Sequence, residues 1–499
     1  MPLTLRLAVC LAALVPLATA AQTPDTLGPT VTLPEAVRVA IRNSPEVARA
    51  GIADRTGALA VRGAQAGRLP SLTFQAGPTQ QFGLGFDQTT GQLSSQSTQL
   101  LNVGVSADVR LFDGSRTRYA VEGARLDRAA AGVAALRTEQ QVALDVAQRF
   151  LQLLLDRELV GVQQGQLAAA LSQREQVAGL VEGGVRARGD LIAQDAVVAE
   201  RRAALVEAEG AVARDEALLV QATGLDPLSA PVFVGPSLAA LTAAGALTYE
   251  PPPLAELLAS ARGSRADVRA QDIRIRAAEA ATSGARAQGR PSVDLSVNVG
   301  TGYSSLQRRL ADPTAPLPTV PVTLPDGTPV LVGGVPFTLP GGQADLERTP
   351  LFVQGLDNRR SSIALSVVVP IFDRYATRRG VAEAQVRTDD ARLTRAALVR
   401  QVDADVQTAA VEARTAVARL AASRVQVEAA QAALRVERDR YELGAGTLYA
   451  VADAQARLAQ AESASAQAAY GLVFRAALVR LAVGDLSPDA LAATLAAAE

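Results

Sequence analysis

Leu434-Arg435-Val436-Glu437-Arg438-Asp439-Arg440-Tyr441-Glu442-Leu443-Gly444-Ala445-Gly446-Thr447 closes a helical run that begins at Tyr375. From Tyr375 to Tyr441 the run has 67 residues, no proline and only Gly380 as an interruption. At 1.5 Å per residue this predicts about 100 Å of helix. Gly444 and Gly446 then supply the backbone freedom of a tight turn, and a second helix starts and runs back. A hairpin of that length cannot fold into a compact globule, so the chain is expected to be elongated and to lie against other long helices.

The design occurs twice. Leu111-Phe112-Asp113 recurs as Ile371-Phe372-Asp373, and Gly184 as Gly444, both at an offset of 260. Upstream, Arg68-Leu69-Pro70-Ser71-Leu72 matches Gly289-Arg290-Pro291-Ser292-Val293 at an offset of 221. The difference of 39 residues is an insertion in the second copy. A repeat of this size is two copies of one large unit, not a solenoid. The expected organisation is a leader over 1–20, a first repeat over 21–230, a linker over 231–252, a second repeat over 253–485 with its insertion near 311–350, and a tail over 486–499.

Alanine, valine, leucine and arginine dominate, aromatics are 3%, and tryptophan and histidine are absent. That is a profile of long helices. All 49 basic residues are arginine, and the net charge of −1 gives no footprint for nucleic acid. Met1 to Ala20 reads as a secretory signal: Arg6, an apolar run from Leu7 to Leu17, and Ala18-Thr19-Ala20 as an A-x-A cleavage site. Cys10, the single cysteine, falls inside that run behind Val9, which disfavours a lipid anchor. Beyond the leader no apolar run reaches the length of a membrane-crossing helix. An exported chain of this kind is periplasmic, secreted or an outer-membrane β-barrel.

Leu33 to Arg42 reads as a short helix, and Asn43-Ser44-Pro45 opens the next, to about Ala66. Pro70 opens a strand. Gly77 to Gln99, rich in Gly, Ser, Gln and Thr, reads as a loop. Val103, Val105, Ala107, Val109 and Leu111 then alternate with Asn102, Gly104, Ser106, Asp108 and Arg110. Such alternation marks a strand between two different environments. Its length suits a tilted membrane crossing, and equally a half-buried strand of a soluble sandwich. Val293 to Val299 and Ile363 to Ile371 repeat the pair. The insertion, Ala311 to Pro350, holds nine prolines and is expected to be irregular. Four strands cannot close a barrel, and open edges cannot face lipid. In a membrane, several chains would share one barrel.

Asp113 and Asp373 are placed to cap the long helices. Phe112 and Phe372 suit either a membrane–water boundary or a core. In the second long helix Leu398, Val402, Val406, Ala409, Ala413, Val417 and Leu420 form an 11-residue rhythm that permits nearly straight packing. Without histidine there is no Ser-His-Asp site and no histidine-ligated zinc. No phosphate-binding or dinucleotide fingerprint is present. The carboxylates sit beside arginines at helical spacing, as on an ion-paired face. The chain reads as a non-enzyme without cofactors or metals.

Over essentially its whole mature length the chain resembles TolC-type outer-membrane efflux proteins. The likeness is carried by Leu33-Pro34-Glu35-Ala36 with Asn43-Ser44-Pro45-Glu46, by Leu111-Phe112-Asp113-Gly114 with its repeat Pro370-Ile371-Phe372-Asp373, and by Arg440 to Thr447 followed by Asp453-Ala454-Gln455. It implies a mostly helical chain with four strands, three chains forming a 12-stranded β-barrel in the outer membrane, and helices forming a periplasmic α-barrel. It also implies a homotrimer working with a periplasmic adaptor and an inner-membrane pump of RND or ABC type.

By the resemblance, Asp190 and Tyr441 form a latch at the helical tip, where a further arginine of the family is replaced by Gly446. Asp453 matches one aspartate ring of the pore constriction, and Ala450 stands where the second would be. Gly183, Gly184, Val185, Leu443, Gly444 and Ala445 match the tip grooves that meet the adaptor. The competing reading is a structural tether that uses long helices as struts, which leaves the four amphipathic strands unexplained.

Overall fold

The computed structural model describes residues 30–87, 92–229, 231–243, 247–311, 319–340 and 346–485. The expected leader with Cys10 and its cleavage site, and the tail after Asp485, lie outside the described residues. In chain order, β1 (Thr30–Val31) leads into α1 (Leu33–Asn43) and α2 (Pro45–Ala66). The hairpin β2 (Ser71–Asp87) and β3 (Gln92–Phe112) follows, then the long helix α3 (Arg116–Glu182) and its return α4 (Arg188–Thr223). β4 (Val232–Phe233), α5 (Leu238–Ala243) and α6 (Leu254–Ser264) lead to α7 (Ala266–Ala287) and β5 (Ser292–Ser304). Then come β6 (Arg308–Leu310), β7 (Thr319–Pro321), β8 (Leu331–Val332), β9 (Val335–Pro336), β10 (Thr338–Pro340) and β11 (Leu346–Arg348). α8 (Leu351–Asp357), β12 (Arg360–Val368), α9 (Ala376–Glu442) and α10 (Leu448–Val483) complete the chain.

Three readings of the sequence are corrected here. Gly77 to Asp87 and Gln92 to Gln99 are strand rather than loop, because β2 and β3 pair from Ser71↔Asp108 to Asp87↔Gln92. Their Gly, Ser, Gln and Thr suggest a turn, although Phe82, Leu84 and Phe86 alternate with Gly83, Gly85 and Asp87 as a strand would. The insertion is not wholly irregular. It carries short antiparallel ladders, β7 with β10 and β8 with β9, its last strand β11 pairs with β6 just before it, and prolines sit within these ladders at Pro321, Pro336 and Pro340. Such short edges tolerate a residue without an N–H. β12 stops at Val368 rather than Ile371. Its last partner is Ser292, and β5 can extend no further back than Pro291.

The chain divides into two compact units, one of residues up to 48, 137–265 and 402 onward, the other of 49–136 and 266–401. Each sequence copy contributes to both. In the first unit the core gathers Phe150, Leu153 and Leu154 of α3, Leu219 of α4, Phe233 of β4, and Leu472 and Val473 of α10. Phe150 meets Phe233 edge to face at 6.2 Å. β1 lies parallel to β4, pairing Val31 with Phe233. α1 begins with a reciprocal cap, in which Thr32 N–H donates to Glu35 Oε2 at 2.9 Å. Asn43 Nδ2 donates to Thr223 O at 3.2 Å and ties α1 to the end of α4. On α9, Val402, Val406, Ala409, Ala413 and Leu420 of the expected stripe are buried.

α10 is long and apolar enough to cross a membrane by composition, which the run-length reading of the sequence did not register. Within its most apolar window 67% of the residues are buried inside the chain. Its apolarity therefore serves the protein core.

In the second unit α7 packs on α9 through polar ties: Gln271 Nε2 donates to Ala391 O at 3.0 Å, and Thr282 and Thr388 share a hydrogen bond of 3.1 Å. The unit's four-stranded antiparallel sheet has the order β12-β5-β3-β2. No residue of α2 is buried. α2 touches α3 where Gly57 lies against Arg128, whose guanidinium pairs with Asp54 at 3.0 Å.

One buried acid in the first unit sets a pH dependence. Asp156 of α3 is buried and accepts from Gln152 Nε2 at 3.1 Å. Burial, and then the neighbouring Asp215 of α4, push its carboxyl up to about 6 from the ordinary 3.8. Between those values the folded chain holds a proton that the unfolded chain has released, so stability falls as pH rises through about 6. The shift corresponds to at most about 3 kcal/mol. Asp156→Asn should therefore raise the unfolding temperature at pH 8 and leave it nearly unchanged at pH 4, as followed by circular dichroism.

Candidate functional site

The register of the sheet sorts its side chains by face. Leu72, Ala107, Val297 and Ile363 stand in one cross-strand row, and Phe74, Val105 and Val299 in the next row of the same face. Ser71, Asp108, Ser296 and Ala364 share the opposite face, with Thr73, Ser106, Asn298 and Ser362 beside them. Arg110 and Asp294 pair across this polar face at 2.8 Å. The apolar face is open: Leu72 is 75% and Ile363 77% exposed. A soluble monomer rarely leaves so continuous an apolar surface uncovered. Strands apolar on one face and polar on the other, long enough to cross, have the pattern of a barrel wall between hydrocarbon and water.

Each strand pair reaches its long helix through a turn with two successive left-handed residues, Gly114 and Ser115 in one copy, Arg374 and Tyr375 in the other. Asp113 and Asp373 cap from just outside it, accepting from the N–H of Thr117 at 2.6 Å and of Thr377 at 2.7 Å. At Gly114 a side chain has no room, since a Cβ would fall 2.5 Å from that of Arg290. Phe112 and Phe372 are exposed, and Phe372 meets Tyr375 edge to face at 5.9 Å.

The helical tip belongs to the first unit and is built twice to one pattern. Val185 and Arg186 donate their N–H groups to Leu180 O at 2.8 and 3.2 Å. Ala445 and Gly446 donate theirs to Arg440 O at 2.8 and 2.9 Å. Gly184 and Gly444 take positive φ at the same place in each turn. Gly183, Gly184, Val185, Leu443, Gly444 and Ala445 are all exposed. A groove of about 660 Å³ runs between the two hairpins, lined by Gln173, Gln176 and Val185 on one side and Tyr441, Gly444 and Val451 on the other. Gln173 Nε2 is buried there without a hydrogen-bond partner.

Asp190 and Tyr441 are both half-buried, and no hydrogen bond joins them within one chain. The ring of Tyr441 instead lies under the Arg186 guanidinium, 5.2 Å from its centroid. Arg186 occupies in the first turn the position that Gly446 holds in the second. Gly446 itself has no space for a side chain, because a Cβ would lie 2.9 Å from Tyr441 N. Reading the sequence missed Arg186, although the offset of 260 between the copies pointed to it. Asp453 forms an ion pair with Arg457 at 2.9 Å on the exposed side of α10, a second residue the sequence reading passed over. Ala450, half-buried, donates its N–H to the capping Thr447 Oγ1 at 3.2 Å. Among the described residues no cluster of His, Cys, Asp and Glu could hold a metal.

A sheet with one lipid-suited face, joined to paired long helices, is the build of an outer-membrane channel. The sequence matches the family described as outer membrane efflux protein over residues 36–225 and 257–485, and the chain belongs to that family. Among solved structures it is similar to CusC, with 16% identity, 91% of this chain and 92% of that one covered, and a TM-score of 0.69. It is similar to VceC from Vibrio cholerae, with 18% identity, 91% and 96% covered, and a TM-score of 0.67. It is also similar to the open state of the MtrE channel from Neisseria gonorrhoeae, with 20% identity, 91% and 88% covered, and a TM-score of 0.63. At these identities the likeness carries the fold. No curated protein matches the sequence. The fold class is the family's, four strands per chain contributing to a trimeric 12-stranded barrel beside a tunnel of long helices, and the protein resides in the outer membrane.

The two faces of the sheet can be told apart by mutation. Leu365→Arg, on the apolar face, should cost about 2–4 kcal/mol if the residue sits near mid-bilayer and deplete the protein from the outer-membrane fraction. Ser362→Arg, on the polar face, should insert normally. Immunoblots of fractionated membranes check both.

Proposed function

We propose that three copies of this chain form the passive outer-membrane duct of a tripartite efflux or type I secretion system. Substrate arrives from an inner-membrane pump of RND or ABC type through a periplasmic adaptor and leaves to the outside. The observation that supports this reading most is the sheet: an apolar face with two unpaired edges, which hydrocarbon tolerates only if copies of the chain close it. A closed wall with Ser, Asn, Thr and an Arg–Asp pair on its inner face holds water and passes solutes.

At the tip, the groove between the hairpins, with the unpartnered Nε2 of Gln173 and the exposed turns around Gly184 and Gly444, is the surface offered to the adaptor. The latch centres on Tyr441. Arg186 stacks on its ring, a contact worth about 0.5–1 kcal/mol when exposed, and Asp190 is held in reserve for a partner in the assembled trimer. Three Asp453 carboxylates near the axis would favour cations, but each carries Arg457 beside it. The constriction is therefore closer to charge-balanced than a bare aspartate ring.

Purified protein in planar bilayers should conduct ions, and a deletion strain should become sensitive to toxic compounds. Arg186→Ala should raise single-channel conductance, whereas Tyr441→Phe, which keeps the ring, should not. The reverse pattern would make Asp190 the partner of Tyr441. A soluble, non-conducting monomer would overturn the duct.

A further inference from the structure

We propose that α8, with the proline-rich module that precedes it in the chain, clasps the β2–β3 ribbon of the neighbouring protomer across the seam where two sheets join. The inference rests on the trimeric reading above. The sheet order leaves β12 and β2 as its edges, so closure joins β12 of one protomer to β2 of the next. β2 has 17 residues and β12 has 9. At least eight residues of β2 thus lack a β12 partner in any register. β2 starts, and β12 ends, at the side from which the helices run. The surplus of β2 therefore projects at the opposite end, where the insertion also lies. An unaccompanied two-stranded ribbon is marginally stable, and its free edge is open to pairing.

β5 also outruns β12. Thr301 to Ser304 pair with β3 on one side only, and α8 stands on the other side. Gln354, fully buried, accepts from Ser304 N–H at 2.8 Å and donates to Ser304 O at 2.9 Å, as a strand residue would. Asn358 Nδ2 donates to Gly302 O at 2.8 Å. α8 thereby continues the line of β12 along the seam. With Gln354 turned to its own sheet, Leu351, Phe352 and Leu356 are left exposed, Phe352 by 74%. The surplus of β2 carries Phe82, also 74% exposed, and Leu84 two residues on.

Between β6 and β11 the insertion is held by its own hydrogen bonds. Val322 N–H donates to Phe337 O at 2.9 Å, Phe337 N–H to Val330 O at 2.7 Å, and Val330 N–H to Val322 O at 2.8 Å. The module also leaves apolar side chains open at Val332 and Val335.

Charge selects the occupant. Thr319 to Pro340 contains one ionisable residue, Asp326, and Gly77 to Gln99 contains one, Asp87. A water-facing surface usually carries a quarter to a third charged residues. Anionic lipid headgroups would call for arginine, and neither stretch has one; of the arginines that border α8, Arg309 pairs with Glu347 at 2.7 Å and Arg359 donates to Leu356 O at 2.6 Å. Two nearly uncharged, partly apolar surfaces at the same end of adjoining edges fit each other, so the partner is a second copy of this chain.

Phe82→Cys combined with Phe352→Cys tests the clasp, on the full-length protein in outer-membrane vesicles with a short flexible bismaleimide. The expected result is a ladder of covalent dimer and trimer on denaturing gels, absent from either single variant. Unheated wild-type protein, run beside it, reports whether the chain is a trimer at all. A trimer that gives only monomer-mass product would overturn the clasp and leave the trimer standing. A wild-type monomer would overturn the reading beneath it. The double variant Phe352→Asp, Leu356→Asp should also lower the temperature at which the trimer dissociates in detergent, and an unchanged temperature would count against the clasp.

Discussion

A strand edge cannot end in hydrocarbon. Its unpaired N–H and C=O groups would each cost several kcal/mol there, because lipid offers them no partner. This chain offers four strands, one continuous apolar face and two such edges, β12 and β2. The rest of the molecule follows from that debt. The chain completes its wall with copies of itself, and its polar face, with Arg110 and Asp294 paired across it, becomes the inner surface of a water-filled passage.

The same incompleteness shows in the helices. α2 buries none of its residues, and Ile52 and Leu59 remain exposed along it. α9 carries its buried stripe on one side only. Where the chain does complete a core alone, Phe150, Phe233 and Leu472 are buried in one hydrophobic cluster. α10 belongs to that core, which explains why a helix apolar enough for a bilayer is buried in protein instead. Stability within one chain and stability of the assembly thus reside in different places.

Much of this was legible in the sequence because duplication reports itself. The offset of 260 between Phe112 and Phe372, and between Gly184 and Gly444, foretold two strand-to-helix junctions and two tip turns, and the structure has both. Alternation found the strands wherever the two faces meet different solvents. It was overlooked over Gly77 to Asp87, where the ribbon extends past its neighbours and the alternation of Phe82, Leu84 and Phe86 is interrupted only by glycine and aspartate in a stretch otherwise rich in turn-forming residues. It failed across the insertion, where proline at short ladder edges looks the same as proline in a coil. At the tip, Tyr441 was recognised, but its neighbour was missed: the offset of 260 marked Arg186 as the counterpart of Gly446 without showing that it meets Tyr441. Arg186 lies 255 positions away in sequence, and only the packing of two hairpins brings its guanidinium over the ring.

The most direct measurement is the native mass of the protein extracted from the outer membrane in mild detergent. Three chains per particle, holding together until heated, is the result that an unfinished wall requires. A particle of one chain, stable in lipid with both sheet edges unaccompanied, would contradict it.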